Sequence, residues 1–278
     1  MGLANKKICF VGAGNMANAI IGGLVKQGLG AENITACSPS LEHLSQIAQN
    51  WGVNTSRDNA SSVASADVIV LSVKPQVLKH VCQELAAHLS HQPLVISIAA
   101  GIELASLRAW LGPQHAIVRC MPNTPAQVLC GASGLLANEH VSDEQRALSA
   151  ELFSGIGIVE WLVEEAEMHA VTALSGSGPA YIFLMIEAMA AAAVKQGMAA
   201  DTAKKLAAQT VLGAATMVLD SELSPGQLKK NVMSPGGTTE RAIQTFEENN
   251  FPGIVEDAMQ AAADRSRELA VILSSSET

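Results

Sequence analysis

Lys7-Ile8-Cys9-Phe10-Val11-Gly12-Ala13-Gly14-Asn15-Met16-Ala17 decides the reading of this chain. After Lys7 comes a short apolar run, Ile8 to Val11, closed by Gly12, which predicts a strand covered on both faces. Asn15 to Gln27 then follows a helical pattern that stops at Gly28. Strand, Gly-x-Gly-x-x-Ala turn and helix, in that order, are the context that a dinucleotide-binding βαβ unit requires. Gly12 permits the tight turn, Gly14 lets the backbone approach a pyrophosphate, and Ala17 is small enough for close helix–strand packing. The start of the helix supplies free N–H groups and the positive end of its dipole.

Working outward, the same alternation continues to about residue 160. Ile34–Cys37, Asp67–Val73, Leu94–Ala99 and Ala116–Met121 read as buried strands. Helical patterns over 41–51, 76–89 and 103–111 lie among them, so the expected sheet is mostly parallel. After about residue 165 no strand pattern remains. Helices are predicted over 180–195, 201–220, 239–248 and 254–273. The expected architecture is α/β: a Rossmann-type dinucleotide-binding domain over 1–165, then an all-α domain over 166–278. Met189–Val194 is apolar on every side, which calls for a helix buried all round. About 110 residues can hardly surround such a helix, so a homo-oligomer is expected.

Composition excludes several classes. The chain has 278 residues, 49% of them apolar and 15% charged, too apolar for a disordered protein. Its 17 basic and 26 acidic residues give a net charge of −9. No positive face for a phosphate backbone results, so no nucleic-acid partner is expected. The most apolar stretch, Tyr181 to Val194, holds 14 residues including Glu187. A membrane span needs about 20, so none is expected. Five cysteines lacking any C-x-x-C spacing read as reduced core thiols of a cytoplasmic protein, and no histidine spacing suggests a metal site.

The end of the second strand, Ala36-Cys37-Ser38-Pro39-Ser40, bears on the cofactor. No carboxylate stands there to hold a ribose 2′-hydroxyl or repel a 2′-phosphate, and two hydroxyls are available. The arginine common at such sites is also missing. NADP(H) is the preferred expectation, with NAD(H) possible. A serine here equally suits a helix N-cap.

Further motifs run nearly end to end. They are Ser72-Val73-Lys74-Pro75, Ser97-Ile98-Ala99-Ala100-Gly101, Arg119-Cys120-Met121-Pro122-Asn123-Thr124-Pro125 and Leu174-Ser175-Gly176-Ser177-Gly178-Pro179-Ala180-Tyr181. The last are Pro225-Gly226-Gln227-Leu228 and Val232-Met233-Ser234-Pro235-Gly236-Gly237-Thr238-Thr239. With them the chain closely resembles the pyrroline-5-carboxylate reductase family. That resemblance implies reduction of 1-pyrroline-5-carboxylate to L-proline with hydride from NAD(P)H, the final step of proline synthesis. It also implies a Rossmann domain followed by a helical dimerisation domain. Carried over residue by residue, it puts Gly12, Ala13, Gly14, Asn15 and Met16 at the pyrophosphate. Ser38, Ser40 and Asn59 fall near the adenosine ribose. Val73, Lys74 and Pro75 lie along the cofactor edge, with Ala99, Ala100, Gly101, Met121, Pro122 and Asn123 nearer the nicotinamide. Ordinary turn punctuation is the other reading of Pro75 and Pro122.

The substrate that the resemblance implies is a small cyclic imine with one carboxylate. Ser234, Gly236, Gly237 and Thr238 offer an anion-holding turn before a helix, with the N–H groups of Gly236 to Thr238 as donors. Thr239 aligns with the family residue that hydrogen-bonds the ring nitrogen and is the candidate catalytic donor. The alternative is that Thr238 or Thr239 simply caps the helix. Ser177 is a further substrate-binding candidate, although Ser175–Pro179 also suits a plain helix–helix turn. The resemblance also makes Glu222 a supporting acidic position, for which surface solvation is the other reading. A β-hydroxyacid dehydrogenase shares this layout but needs a lysine at the glycine-rich helix start, where none occurs. A dinucleotide-sensing binding protein is the non-enzyme alternative.

Overall fold

Residues 2–275 are described by the structure, a computed structural model. The outermost positions of both expected domains, residue 1 and residues 276–278, lie outside it. By packing, the chain divides into two compact units. One runs up to Ser177 and resumes at Ala262; the other is Gly178–Ala261.

The first unit opens with β1 (Ile8–Val11), α1 (Asn15–Lys26), β2 (Ile34–Cys37), α2 (Leu41–Trp51), β3 (Asn54–Ser56) and α3 (Asn59–Val63). It continues with β4 (Val68–Leu71), α4 (Pro75–Ala86), β5 (Leu94–Ser97), α5 (Leu104–Leu111) and β6 (Ile117–Met121). β7 (Gly131–Ala137), α6 (Asp143–Ser154), β8 (Gly157–Trp161) and α7 (Glu167–Val171) complete it, and a π-helical turn over Thr172–Gly176 follows. The eight strands lie in the order β3-β2-β1-β4-β5-β6-β7-β8. All neighbours are parallel except β6 and β7.

Strand order reverses between β1 and β4, which is where such a sheet leaves a crevice. Val11 stands opposite both Cys37 and Leu71, and Leu71 opposite Ser97. Four strands therefore end level, and the turns that follow them emerge along one edge. Each face of the sheet has its own apolar layer. Ile20 and Leu24 of α1 pack with Phe153 of α6 on one side, Leu78 and Leu85 of α4 with Leu107 of α5 on the other.

Strands β3, β7 and β8 and helix α6 go beyond the sequence expectation. β3 is Asn-Thr-Ser, too polar to signal a strand, and β7 contains two glycines. The boundary set by packing also differs from 165/166. Met168, His169 and Ala173 are buried in the first unit, and the Asn123 amide donates to the Ser175 carbonyl at 3.0 Å. The end of the last helix returns to this unit as well. His169 Nδ1 lies 2.9 Å from the Ser266 hydroxyl, and a Cβ on Gly101 would come within 3.2 Å of Leu273.

The second unit is helical, holding α8 (Gly178–Lys195), α9 (Ala200–Asp220), α10 (Pro225–Asn231), α11 (Thr238–Glu248) and the start of α12 (Phe251–Ser275). Within the single chain α8 has no buried residue, and Phe183 and Leu184 are about two-thirds exposed. The all-round burial expected for Met189–Val194 is thus not supplied by its own chain. The run Glu167–Lys195 holds 29 residues with mean hydropathy 1.5, so by length and composition it could cross a membrane. The sequence pattern had suggested only 14 apolar residues. Its opening turns, however, are packed into the first unit, and Glu187 falls within the remainder.

Two features at and just before α7 can be tested, the Arg119–Glu165 pair and the buried His169. Arg119 on β6 is 4% exposed and pairs with Glu165, whose other oxygen accepts the Leu104 N–H at 3.0 Å. Removing one partner of a buried pair strands a desolvated charge. Glu165→Ala should cost about 2–3 kcal/mol, the low side because Glu165 is partly exposed. Adding Arg119→Met should recover part of that in urea unfolding; a double variant weaker than the single would contradict the reading.

His169 has its pKa lowered from the usual value, first by burial and then by the Arg267 and Arg119 charges. The folded protein therefore takes up this proton less readily than the unfolded chain. Its contribution is complete above about pH 6.5 and is lost as pH falls below that value. Partly buried His115 contributes with the same sign. Urea midpoints measured from pH 7.5 to 5 should fall for the wild type and fall less for His169→Gln. Equal slopes would contradict the assignment.

Candidate functional site

The turn after β1 is fixed by contact, not by composition alone. Gly12 has φ +110°, and a Cβ there would lie 2.6 Å from the Ser72 backbone. The Ser72 hydroxyl donates to the Gly12 carbonyl at 2.8 Å, and its N–H donates to Val11 at 2.8 Å. Ser72 is thus a positioning residue that sequence reasoning missed. A serine directly after four apolar strand residues was the available signal.

Helix α1 starts behind this turn with Gly14 as its N-cap and no side-chain hydrogen bond to it. Asn18 N–H closes the first turn on the Gly14 carbonyl at 2.9 Å. The N–H groups of Asn15, Met16 and Ala17 find no partner among the described residues. A Cβ on Gly14 would meet nothing within 4 Å, so the space in front of these donors is open. Several other helices are closed by side chains, α2 by Ser40, α3 by Asp58, α6 by a Ser142–Gln145 capping box and α10 by Ser224, whereas α4, α5 and α9 also open without a bond from their N-cap residue. Leaving four donors unsatisfied at a helix start is costly unless water or a ligand takes them. The α1 start therefore fits an anionic pyrophosphate.

Ser38 and Ser40 take different roles. Ser40 caps α2, accepting the His43 N–H at 3.4 Å, and the buried Ser38 hydroxyl accepts the Ser40 N–H at 3.1 Å. Both act as acceptors, so each hydroxyl hydrogen is left to donate. The Ser38 N–H donates to Ser56 on β3 at 3.2 Å, which brings the segment after β3 alongside. Asn59 opens α3 there. Arg57 stands there too, so an arginine does lie on this edge, directly after a strand the sequence did not reveal.

The remaining edge residues line up as the register requires. Val73, Lys74 and Pro75 lead into α4, with Pro75 at its first position and no side-chain cap. Ala99, Ala100 and Gly101 follow β5, Gly101 with φ +75°. Met121 ends β6 and Pro122 follows it. Asn123 is nearly buried and both ends of its amide are engaged: it donates to Ser175 and accepts the Ala132 N–H at 2.9 Å. Its side chain ties β7 to the π-helical turn. A plain helix–helix turn was the alternative reading at Ser175–Pro179; the chain instead passes through the π-helical turn over Thr172–Gly176 directly into α8. Thr172 and Ser175 bond back to carbonyls four residues earlier, and Ser177 N–H reaches the Thr172 carbonyl at 2.8 Å. Such insertions into a helix ladder occur frequently at functional sites. Gly176 leaves room for Met121, whose methyl would lie 2.7 Å from a Cβ there.

In the second unit, Ser234 to Thr239 form a turn and the start of α11. Gly236 has φ +71°. Its N–H donates to the Glu240 carboxylate at 2.7 Å, and the Gly237 N–H donates to the Ser234 carbonyl at 2.9 Å. Two of the three donors expected to hold an anion are therefore already used. At this helix start, the N–H groups with no partner among the described residues are those of Thr238, Thr239 and Glu240. Gly237 is the N-cap, without a side-chain bond, so neither Thr238 nor Thr239 caps the helix. Thr239 is the second helical residue, half-buried, with no bond to its hydroxyl among the described residues.

Comparison with known proteins bears on this geometry. The profile described as "Pyrroline-5-carboxylate reductase dimerisation" matches residues 165–269. Another, described as "NADP oxidoreductase coenzyme F420-dependent", matches 7–101. The pyrroline-5-carboxylate reductase of Pseudomonas aeruginosa is 52% identical over 268 residues, covering 96% of this chain and 98% of that protein. A solved pyrroline-5-carboxylate reductase from Coxiella burnetii superposes with TM-score 0.92 at 44% identity, over 95% of this chain and 98% of that one. The Plasmodium falciparum pyrroline carboxylate reductase with NADP bound gives 0.86 at 32% identity, over 97% and 100%. On sequence, fold and length alike, this chain belongs to the pyrroline-5-carboxylate reductase family.

Proposed function

We propose that the start of α1 holds the pyrophosphate of a nicotinamide dinucleotide and that the start of α11 holds the substrate. The observation that carries this is that two long helices open behind glycine turns with no side-chain cap. The chain is an NAD(P)H-dependent oxidoreductase that reduces 1-pyrroline-5-carboxylate to L-proline. When bound, the cofactor supplies the hydride.

In this reading the free N–H groups of Thr238, Thr239 and Glu240 bind the substrate carboxylate, and the helix dipole adds to their attraction. Ser234, Gly236 and Gly237 shape the turn, with Glu240 tying down Gly236. The Thr239 hydroxyl, uncommitted within the chain, donates to the ring nitrogen and orients the imine carbon for attack. No histidine follows His169 in the sequence, so an imidazole acid from the rest of the chain plays no part. Ser177, just past the π-helical turn, is assigned as a further polar contact for the substrate.

On the cofactor edge, Gly12 to Met16 form the pyrophosphate turn, and Val73–Pro75, Ala99–Gly101 and Met121–Asn123 line the way to the nicotinamide. NADP(H) is preferred, with NAD(H) accepted. What supports this is the lack of a carboxylate at the end of β2 that would repel a 2′-phosphate, with the hydroxyls of Ser38 and Ser40 free to donate to either form. The working form is a homo-oligomer, supported by the dimerisation profile and the exposed apolar residues of α8 and α9. A reducing cytoplasm suits the five free thiols, four of them buried as expected and Cys130 exposed against the expectation of core thiols; burial pushes Cys82 up to about 12 and Cys120 well above its usual value.

Purified protein should oxidise NADPH when 1-pyrroline-5-carboxylate is added, followed by the loss of nicotinamide absorbance. No oxidation by folded, NADPH-binding protein would overturn the reading. In the same assay Thr239→Ala should lose about 10²–10³ in turnover, and Thr239→Ser should keep much more. Because Thr239 is not a cap, the alanine variant should be as stable as the wild type or about 0.5 kcal/mol more so. Full turnover in Thr239→Ala would show that the donor is another residue.

A further inference from the structure

We propose that Arg57 is the residue that distinguishes a cofactor carrying a 2′-phosphate from one carrying a 2′-hydroxyl. The inference rests on the NADP(H) reading given above and names the group that reads the charge.

Three observations place it. First, β3 is the outermost strand, and the Ser38 N–H bonds to Ser56 at its end, so residue 57 leaves the sheet beside the Ser38–Ser40 turn. Second, Arg57 is exposed and has no hydrogen bond or ion pair among the described residues. Third, the sequence holds no other lysine or arginine between Lys26 and Lys74.

Two carboxylates share this corner. Asp58 is turned to its own helix: its Oδ1 accepts the Ser61 N–H at 3.2 Å, and that bond, the largest cause, holds its pKa below the usual value. Glu42 sits in the first turn of α2, toward the positive end of that helix. Neither is paired with Arg57.

Ser38 and Ser40 are neutral donors. Neutral hydroxyls serve a ribose hydroxyl and a phosphate alike and give little discrimination by charge. A guanidinium does discriminate: it is permanently charged and presents paired N–H donors that match phosphate oxygens. The serines therefore place the ribose, and Arg57 supplies the preference.

Adenosine 2′,5′-bisphosphate and 5′-AMP separate the parts, because they differ only at the 2′ position. Their binding is measured by calorimetry at low salt on wild type, Arg57→Gln and Arg57→Lys. Wild type should bind the bisphosphate at least about tenfold more tightly than AMP. Arg57→Gln should lose about 10- to 100-fold for the bisphosphate and stay within about twofold for AMP. Arg57→Lys should fall between, since it keeps the charge and loses the fork. Added salt should erode the wild-type preference more than that of Arg57→Gln. If wild type discriminates and Arg57→Gln discriminates equally, the proposal fails and the serines read the phosphate alone. If wild type does not discriminate, the NADP(H) reading fails and the proposal falls with it.

Discussion

The close approach of β1 to β4 at Gly12 is the constraint on which the site depends. Gly12 and the Ser72 backbone are so near that no side chain fits, and the Ser72 hydroxyl bonds across to the Gly12 carbonyl. That contact lies where the strand order reverses. It sets where the chain leaves β1 and hence where α1 begins. The helix then presents its unpaired donors at the level edge formed by β1, β2, β4 and β5. A cofactor lying along this edge passes the ends of successive strands, so one backbone contact orders the whole path.

Away from that turn, the edge is held by groups engaged within the protein. Asn123 spends its amide on β7 and the π-helical turn, and Arg119 spends its charge on Glu165. These bonds fix the loop after β6 and the segment leading into α8. They also explain why a motif such as Arg119–Pro125 mixes residues of different kinds: some stand on the edge proposed for the cofactor, and others brace it. The start of α11 has a similar division. Glu240 and Ser234 close the turn, and the next three N–H groups remain available.

Much of the fold was legible because its signals are local. The Gly12–Ala17 turn, the apolar runs of β1, β4, β5 and β6, and α2 from Leu41 to Trp51 stand where the pattern put them. What escaped depends on neighbours. β3 is an edge strand of polar residues, recognisable only through its pairing with β2. β7 runs antiparallel and carries glycines that fit against Ala126 and Val171. The π-helical turn reads as a break in sequence, since glycines and serines usually end a helix, yet the ladder continues through it. Within the site, the glycines before α11 announced a turn, but not that Gly236 would give its N–H to Glu240. Arg57 was hidden for the same reason as β3, since without that strand it belongs to no edge.

Gly14→Asp tests the central claim most directly. Gly14 has φ −80°, which any residue adopts, and open space around it, so an aspartate fits without strain. Aspartate is among the best N-cap residues, whereas its charge and bulk occupy the place assigned to the pyrophosphate. Thermal unfolding and NADPH titration on this variant therefore move in opposite directions if the account is right. Stability should hold or rise, and NADPH affinity should fall by at least about 100-fold, as expected when a carboxylate replaces an anion on the same donors. An aspartate variant that binds NADPH as tightly as the wild type would contradict the claim that the uncapped start of α1 is the cofactor's cradle.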